Sequence, residues 1–343
     1  MKRLEIGVVG AGWIVDKHLR AIGELGDRAR VVAICDPDNH RATAMAEAFN
    51  VPHILGNYDD LVLMDQINTV LVAIPTMLHA DAAVAAARAD KHVVCEKPMA
   101  ATVADCRRMI DAARRHEVCL IPGHNRLFFP PIVKARQIIE AGALGQPRLF
   151  RGSFLTPYHP ALATGDQGQS WRVDPSFSGG GILMEAGVHV IYTAQDLLGP
   201  VCSVQAQMQR ITATDTEDSV IVQLEFESKA LGSIVLQNDS GYPDDGFQVL
   251  GTEGMVQVNG VELQAMRGPP LAIYGKRDAS WQLPDAAWSW DESFTGMWAH
   301  VADVIMDGRR PLPAGVDGLR VIEVIEAVYH AARTGQRTQV TRS

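Results

Sequence analysis

The fold is decided by one stretch near the start of the chain, residues 4–12, which read LEIGVVGAG. The first six residues predict a short buried strand, and Gly10 and Gly12 follow almost at once. Glycines at such a turn let the chain bend tightly and bring backbone N–H groups close to a pyrophosphate at the positive end of the next helix. Val15 stands where a third small residue is usual. By itself the stretch predicts a strand-to-helix turn, with a dinucleotide site as its functional interpretation.

The alternation that begins there continues through the first 121 residues. Short apolar runs predict strands at residues 4–9, 30–35, 69–73, 92–95 and 118–121. Helix-forming composition predicts helices at residues 13–25, 39–49, 77–89 and 102–115. Thr102 is a predicted N-cap, with Asp105 in the capping-box position. Strands joined by helical crossovers predict an α/β domain with a parallel sheet.

The rhythm changes after Pro122, where strands begin to follow one another directly. A predicted helix at 131–141 and a strand at 149–155 lead into a Pro- and Gly-containing loop at 156–169. Between residues 201 and 259, strands such as 219–226, 231–236 and 255–258 are separated by tight turns, which predicts an antiparallel sheet. Two helices, at 294–306 and 316–332, close the chain. We expect a first domain over 1–122 and an α+β domain over 123–343, with a cleft at their shared interface.

Composition excludes several classes of function. The 343 residues carry 31 Lys and Arg against 40 Asp and Glu, a formal net charge of −9, which argues against a nucleic-acid partner because such proteins need a basic face. No apolar run approaches the ~20 residues of a membrane span, and the start lacks a signal-peptide pattern. The five cysteines form no CxxC pair and the 11 histidines show no HExxH spacing. We therefore expect a cytoplasmic protein with no membrane partner and no metal site.

An acidic residue strengthens the dinucleotide interpretation. Asp36 ends the second predicted strand, 24 residues after Gly12, where a carboxylate can bind both hydroxyls of an adenosine ribose. The same carboxylate would repel a 2′-phosphate, so NAD is favoured over NADP. The alternative, which is compatible with this role, is that Asp36 only starts a turn with Pro37 and Asp38.

Two further strand ends carry polar residues. Ile74, Pro75, Thr76 and His79 follow the third predicted strand, and residues 95–98 (Cys-Glu-Lys-Pro) end the fourth. Because the carboxyl ends of parallel strands border one crevice, both segments are expected at a ligand site. The alternative for Lys97 is a solvated surface lysine paired with Glu96.

A second cluster lies in the other predicted domain. Trp171 and Arg172 precede three consecutive glycines, 179–181, and an apolar helix. The glycines suggest a close backbone approach to a ligand or to the neighbouring domain. Glu185 and His189 are spaced i, i+4 on that helix, so they share a face and could form an acid/base pair. The alternative is a hydrogen bond on a helix surface or a buried histidine at the domain junction.

Together these residues give the chain a family resemblance. The matching features are Gly10, Ala11, Gly12 and His18; Asp36 and Pro37; Ile74, Pro75, Thr76 and His79; Glu96, Lys97 and Pro98; residues 123–126; Trp171 and Arg172; the glycines leading to Gly187, Val188 and His189; and residues 317–320. Over essentially its whole length the chain resembles the Gfo/Idh/MocA family of nicotinamide-dependent sugar and inositol oxidoreductases. This resemblance implies a Rossmann domain, a second domain with a large, mostly antiparallel open sheet, and a homodimer or homotetramer assembled through that sheet.

The resemblance also implies roles for individual residues. Lys97 would contact the reacting hydroxyl or the nicotinamide ribose, and His189 would be the acid/base. Implied cofactor contacts are Gly10, Gly12, Trp13, Ile14, Asp36, Ile74, Pro75, Thr76, His79, Glu96, Lys97 and Asn125. Implied substrate contacts are Lys97, Arg126, Trp171, Arg172, Glu185, His189 and Tyr192.

The chain departs from the family pattern on the substrate side. Glu185 and Tyr192 stand where Asp is common, and Leu127 and Phe129 replace a frequent Arg and Asp. The identity of the substrate therefore does not transfer from the family.

Three functions are open at the level of sequence. The first is an NAD-dependent dehydrogenase acting on a secondary alcohol of a sugar, cyclitol or sugar derivative, in which His189 accepts the hydroxyl proton, Glu185 holds its ring and Lys97 stabilises the alkoxide. The second is an NAD-retaining glycosidase or epimerase that oxidises its substrate transiently. The third is a non-catalytic NAD-binding sensor, which would not need both Lys97 and His189. The 156–169 loop and the Trp-rich 281–290 segment could equally shape a sugar site or form subunit contacts.

Overall fold

The computed structural model describes residues 3–158, 170–211, 214–261, 268–284 and 289–342, except for the side chain of Ser170. The chain forms two compact units. The first combines Met1–Asn125 with Phe294–Leu319, and the second combines Arg126–Ser293 with Arg320–Ser343. Most of the 156–169 loop and part of the 281–290 segment lie outside the described residues, so both interpretations of them remain open.

The first unit includes a segment, 294–319, that the sequence division placed in the second domain. Gly318 lies so close to the first unit's core that an added Cβ would be 2.9 Å from Met99 Sδ and 3.0 Å from a Pro122 carbon. Trp298 is fully buried and donates its indole N–H to Nδ1 of His18 over 3.0 Å. These contacts join residues far apart in the sequence, so the composition along the chain gives no sign of them.

The sheet of the first unit has six parallel strands: β1 (Leu4–Val9), β2 (Ala29–Cys35), β3 (His53–Leu55), β4 (Thr69–Val72), β5 (His92–Glu96) and β6 (Leu120–Gly123). Their order across the sheet is β3-β2-β1-β4-β5-β6, so the predicted parallel sheet is confirmed. The order reverses between β1 and β4, and open sheets of this kind bind ligands beyond the carboxyl ends of their strands at that point.

The helices of the first unit follow the predicted segments closely. They are α1 (Trp13–Gly23), α2 (Asn39–Phe49), α3 (Tyr58–Val62), α4 (His79–Arg88) and α5 (Val103–Arg115). The Thr102 hydroxyl caps α5 by accepting from the Asp105 N–H, so the predicted cap is confirmed. The prediction missed β3 and α3, because β3 has only three residues, two of them exposed, and so lacks an apolar run.

The second unit has a nine-stranded sheet. Its strands are β7 (Pro147–Leu155), β8 (Val201–Gln209), β9 (Ser219–Phe226), β10 (Leu231–Gln237), β11 (Asp244–Gly251), β12 (Gly254–Asn259), β13 (Leu271–Gly275), β14 (Ser280–Gln282) and β15 (Thr338–Gln339). The order is β14-β13-β12-β11-β7-β10-β9-β8-β15. Only the β7–β10 pair of this sheet, within the ranges given above, is parallel, so the predicted mostly antiparallel sheet is confirmed.

One face of this sheet is covered and the other is open. Along β9, Val220 and Val222 are buried while Ile221 between them is 52% exposed. Further helical elements of the chain are α6 (Pro130–Glu140), α7 (Pro175–Ser178), a π-helical turn (Leu183–Gly187), α8 (Val188–Leu198), α9 (Trp290–Asp307) and α10 (Gly315–Thr334), of which α9 lies mostly in the first unit. Helix α8 lies against β7, where a Cβ added to Gly152 would come within 2.5 Å of Val190. In the ranges described above, no helix is both long and apolar enough to cross a membrane.

Candidate active site

The glycine turn after β1 has the geometry that a dinucleotide needs. Gly10 has a φ of +107°, and an added Cβ would lie 2.2 Å from the carbonyl oxygen of Ala73, so only glycine fits. Gly12 is the N-cap of α1, and an added Cβ would meet no described heavy atom within 4 Å. The amino end of α1 therefore has room for a phosphate group beside its N–H groups. Val15 fills the core with no exposed surface, so the missing small residue leaves the turn intact.

Asp36 lies at the end of β2, beside this turn. Its Oδ2 accepts from the Ala11 N–H over 2.8 Å and its Oδ1 from the Asp38 N–H over 2.9 Å. The Arg41 guanidinium is 3.6 Å from Oδ1 and also pairs with Asp38. Asp36 thus places a carboxylate beside the glycine turn, as predicted, and also accepts a hydrogen bond within its own turn. The Arg41 guanidinium is a cation next to this carboxylate.

His79 connects the loops that follow β4 and β5. Its Nε2 lies 2.7 Å from the Ile74 carbonyl oxygen and its Nδ1 lies 2.9 Å from the Pro98 carbonyl oxygen. Burial lowers the pKa of His79, although both carbonyls and the Glu96 carboxylate act in the opposite direction. His79 is only 1% exposed, and its ring links the loop after β4 to the loop after β5. A cofactor contact of His79 stays a prediction.

Glu96, next to Lys97, is the centre of a buried hydrogen-bond chain. Its Oε2 accepts from the Lys97 N–H over 3.1 Å, and its Oε1 lies 2.9 Å from Nε2 of His18. Because the Trp298 indole can only donate, Nδ1 of His18 accepts from it and Nε2 carries the hydrogen that Glu96 accepts. Burial alone would raise the pKa of Glu96, but the His18 hydrogen bond and the Lys97 charge lower it. The backbone of Lys97 is therefore held by a fixed carboxylate.

Two residues directly after the neighbouring strand, β6, are deeply buried. His124 and Asn125 follow β6 and are 2% and 5% exposed. Burial and the charge of Lys97 lower the pKa of His124 to about 3, against the opposing effect of Glu96. His124 is accordingly a neutral imidazole at neutral pH. Thr76, in the turn after β4, is also buried.

In the second unit, two of the three consecutive glycines lie close against other parts of the same unit. A Cβ on Gly181 would lie 2.2 Å from the Glu217 carbonyl oxygen, and one on Gly180 would lie 2.0 Å from the Tyr329 hydroxyl. From the sequence, these glycines were interpreted as a close approach to a ligand or to the neighbouring domain. That interpretation did not include a contact within the second unit. The reason is that Glu217 and Tyr329 become neighbours of the glycines only through the tertiary fold.

Glu185 forms an ion pair on the substrate side predicted from sequence. Its Oε1 accepts from Nη1 of Arg172, whose guanidinium carbon lies 5.4 Å from the centre of the Trp171 ring. Burial raises the pKa of Tyr158, which also feels the charges of Arg172 and Glu185. Trp171, Arg172 and Glu185 thus form one polar and aromatic group, and their contact with a substrate stays a prediction.

His189 lies in the first turn of α8 and is 4% exposed. The element before it is a π-helical turn rather than the regular α-helix assumed for the i, i+4 pair, because the Val188 N–H donates to the Leu183 carbonyl five residues earlier. Such turns are rare and occur often at functional sites. Tyr192, one turn further along, is also buried.

Arg126 has an environment different from an open substrate site. Its Nη2 donates to Oδ1 of Asp245 over 2.5 Å, and both side chains are almost completely buried. The guanidinium carbon lies 5.4 Å from the centre of the Phe154 ring. The pair links Arg126 to β11 within the second unit, and the substrate contact of Arg126 stays a prediction.

Sequence reasoning assigned no role to several residues that support the candidate residues within each unit. His18 appeared only as part of the family resemblance, and Trp298, Asp245, Glu217 and Tyr329 were not singled out. Each is hydrogen-bonded to residues distant in the sequence. The acidic run 217–218 just before an alternating strand was the one available signal.

The comparison with known families covers both units. Residues 4–124 match the oxidoreductase family with an NAD-binding Rossmann fold. Residues 132–257 match the GFO/IDH/MocA C-terminal domain. The chain belongs to the Gfo/Idh/MocA family. It is an oxidoreductase with a Rossmann unit, and the expected fold class is confirmed.

Named relatives of this Gfo/Idh/MocA oxidoreductase include sugar dehydrogenases. A D-apiose dehydrogenase of Paraburkholderia graminis is 26% identical over 356 residues, which cover 99% of this chain and 90% of that protein. A D-xylose 1-dehydrogenase of Haloarcula marismortui, named for NADP(+), is 25% identical and covers 96% and 91%. The structure of a levoglucosan dehydrogenase with NADH and levoglucosan has a TM-score of 0.89 at 24% identity, covering 99% of this chain and all of that one (100%), which shows a shared fold.

Proposed function

We propose that the chain is an NAD-dependent dehydrogenase that oxidises a secondary alcohol of a sugar, cyclitol or sugar derivative. The observation that supports this most is the polar strand end of the first unit, where Glu96 and His18 fix the backbone at Lys97 beside a dinucleotide turn. The names of the sugar-dehydrogenase relatives support the substrate class. The particular sugar, the carbon oxidised and the physiological direction are not part of the proposal.

NAD is the proposed cofactor, held at its pyrophosphate by the α1 amino end and at its adenosine ribose by Asp36. The negative charge of Asp36 disfavours the 2′-phosphate of NADP. The relative named for NADP(+) makes the choice a matter for experiment, because Arg41 beside Asp36 offers that phosphate a cation.

The proposed chemistry divides among three side chains. An imidazole nitrogen of neutral His189 accepts the hydroxyl proton, and the Lys97 ammonium stabilises the developing alkoxide. When bound, NAD⁺ supplies the acceptor for the hydride that leaves the carbinol carbon, so the products are the carbonyl compound, NADH and a proton. Glu185 holds Arg172 next to the Trp171 ring, which suits a sugar's hydroxyls and apolar face.

The test is a panel of aldoses, cyclitols and glycosides incubated with NAD⁺ or NADP⁺ while absorbance of the reduced nicotinamide is followed. We expect NADH formation with at least one member. The His189→Ala variant should lose about 10²–10⁴-fold in kcat, the usual contribution of a positioned acid/base, while its Kd for NAD stays unchanged. His330→Ala, an exposed histidine on α10, is the matched control and should keep full activity.

Three results would contradict the proposal. Normal turnover by His189→Ala would remove the acid/base role. Substrate consumption with retained NAD and no net NADH would indicate the glycosidase or epimerase instead. NAD binding without turnover of any panel member would indicate a sensor.

The proposed enzyme is cytoplasmic and forms a homodimer or homotetramer through the open face of its large sheet. Its five cysteines are free thiols, which fits a reducing compartment. Ile221 and Val235 are cross-strand partners on β9 and β10 and are 52% and 39% exposed. An apolar pair on an open sheet face is a suitable centre for a self-complementary contact.

A further inference from the structure

The helix that carries Glu185 and His189 starts against a carboxylate from a distant part of the second unit. Glu217 lies two residues before β9 and is 7% exposed. Its Oε1 accepts from the N–H groups of Gly181 over 3.0 Å and Leu183 over 3.1 Å. Its Oε2 lies 3.0 Å from the same Gly181 N–H, and its backbone carbonyl accepts from the Ile182 N–H over 3.1 Å. One residue thus satisfies three successive N–H groups at the start of the helix, which a helix cannot satisfy internally.

Tyr329 completes this arrangement from helix α10. Its hydroxyl donates to Oε1 of Glu217 over 2.9 Å. The absence of side chains at Gly180 and Gly181 is what allows Tyr329 and Glu217 to reach the helix, since a Cβ at either position would overlap them. The pair and the glycines therefore belong to a single buried contact, which we call the Glu217–Tyr329 clamp.

The clamp contacts the turn that carries Glu185 and leads directly into the helix of His189. The Glu185 N–H donates to the Gly181 carbonyl over 3.0 Å, so Glu185 is bonded directly to a clamped residue. The π-helical turn continues to Gly187, and His189 follows in α8. Because the π-helical turn runs without a break into α8, a shift of its amino end would also shift the residues that follow it. A carboxylate at that end also stabilises it through the helix dipole.

We propose that Glu217 and Tyr329 are positioning residues of the reaction, which fix the direction of Glu185 and His189 by holding the amino end of the π-helical turn. The catalytic part of this inference rests on the proposed function, because it assumes that His189 is the acid/base. Neither clamp residue touches the substrate in this proposal. Both act through the helix.

The first test measures the position of the His189 ring without any substrate. Protein labelled with ¹³C-histidine gives a Cε1–H signal for His189, assigned by its absence in His189→Gln. We expect this signal to move by more than its line width in Tyr329→Phe and further in Glu217→Gln. Thr102→Ala, which removes a helix cap of the same kind from α5 in the first unit, is the control and should leave it in place. An unmoved His189 signal in both folded clamp variants would overturn the proposal. Tyr329→Phe, the milder change, keeps the test valid if Glu217→Gln fails to fold.

The second test measures turnover on the substrate found with the panel. We expect kcat to fall about tenfold in Tyr329→Phe and about 10²-fold in Glu217→Gln, because misplacement of about 1 Å can cost that much. The Kd for NAD should not change in either variant. The double variant should lose no more than Glu217→Gln alone, because both residues act through one contact. A normal kcat despite a moved ring signal would overturn the positioning role.

The two proposals fail in different ways. Normal turnover by His189→Gln would contradict the proposed function. The His189 ring signal in Tyr329→Phe and Glu217→Gln would still report whether the clamp positions His189. A lost turnover in His189→Gln, with an unmoved signal in Tyr329→Phe, would contradict the clamp alone.

Discussion

We expect cofactor choice to depend on Asp36, directly after β2, and on Arg41 of α2. Asp36 is 8% exposed and accepts from the Ala11 N–H in the glycine turn, while Arg41 approaches it to 3.6 Å. The carboxylate favours ribose hydroxyls and the guanidinium favours a phosphate. Because these two charges act in opposite directions on a 2′-phosphate, removing one of them should change the preference.

Asp36→Ser should shift the chain toward NADP. Like charges brought together cost several kcal/mol, so we expect the Kd for NADP to fall at least about tenfold and the Kd for NAD to rise. Titration of both dinucleotides by calorimetry checks this. Adding Arg41→Ala to Asp36→Ser should abolish the gain for NADP. An unchanged ratio of the two Kd values in Asp36→Ser would contradict the role given to Asp36.

At the scale of elements, the first unit holds four histidines whose environment disfavours their charged form. Burial lowers the pKa values of His79, His92, His124 and His300. For His124 the value is about 3, compared with 6.5 for an ordinary histidine. An unfolded chain would protonate all four near pH 6.5, whereas the folded chain resists protonation. Stability from these groups is therefore full above pH 6.5 and falls as the pH drops toward their folded pKa values.

We expect the free energy of unfolding to fall between pH 7.5 and pH 5.5. Each histidine that takes up a proton only on unfolding contributes about 1.4 kcal/mol per pH unit below its unfolded pKa. Glu96, whose pKa is also lowered, adds to this loss only near and below its ordinary value of 4.5. Urea unfolding followed by circular dichroism at the two pH values measures the slope. His124→Asn should reduce that slope, and an unchanged slope would argue against the buried neutral form of His124.

At the scale of elements, the sequence predicted the presence of helices and strands better than the type of helix they form. Segment 39–49 and strand 219–226 were predicted with the bounds that the structure has, because periodicity and capping are local signals. The π-helical turn at Leu183–Gly187 was predicted as α-helix. The amino end of this turn is bonded to the clamp formed by Glu217 and Tyr329. Both residues are distant from the turn in the sequence, so no local pattern predicts the contact.

At the scale of the whole molecule, the open face of the large sheet is where a second copy of the chain is proposed to bind. A charge placed at the centre of a self-complementary contact appears on both copies at once, so it repels its own symmetry mate. We expect Val235→Lys to lower the molar mass in solution to that of the single chain, measured by light scattering after gel filtration. Leu63→Lys, at a 73% exposed residue of the first unit, is the matched control and should keep the assembly. An unchanged mass in Val235→Lys would place the contact elsewhere.

By itself the sequence determined the family, the two kinds of sheet and the identity of the candidate residues. Glycines 10 and 12, Asp36 and Lys97 were recognisable because strand ends, turns and caps depend on neighbours within a few positions. Only the tertiary structure decided that 294–319 joins the first unit, that His18 accepts from Trp298, and that Glu217 and Tyr329 meet the glycines. These contacts join residues from distant parts of the chain. The strength of these hydrogen bonds and contacts depends on packing and burial, and a local sequence pattern predicts neither.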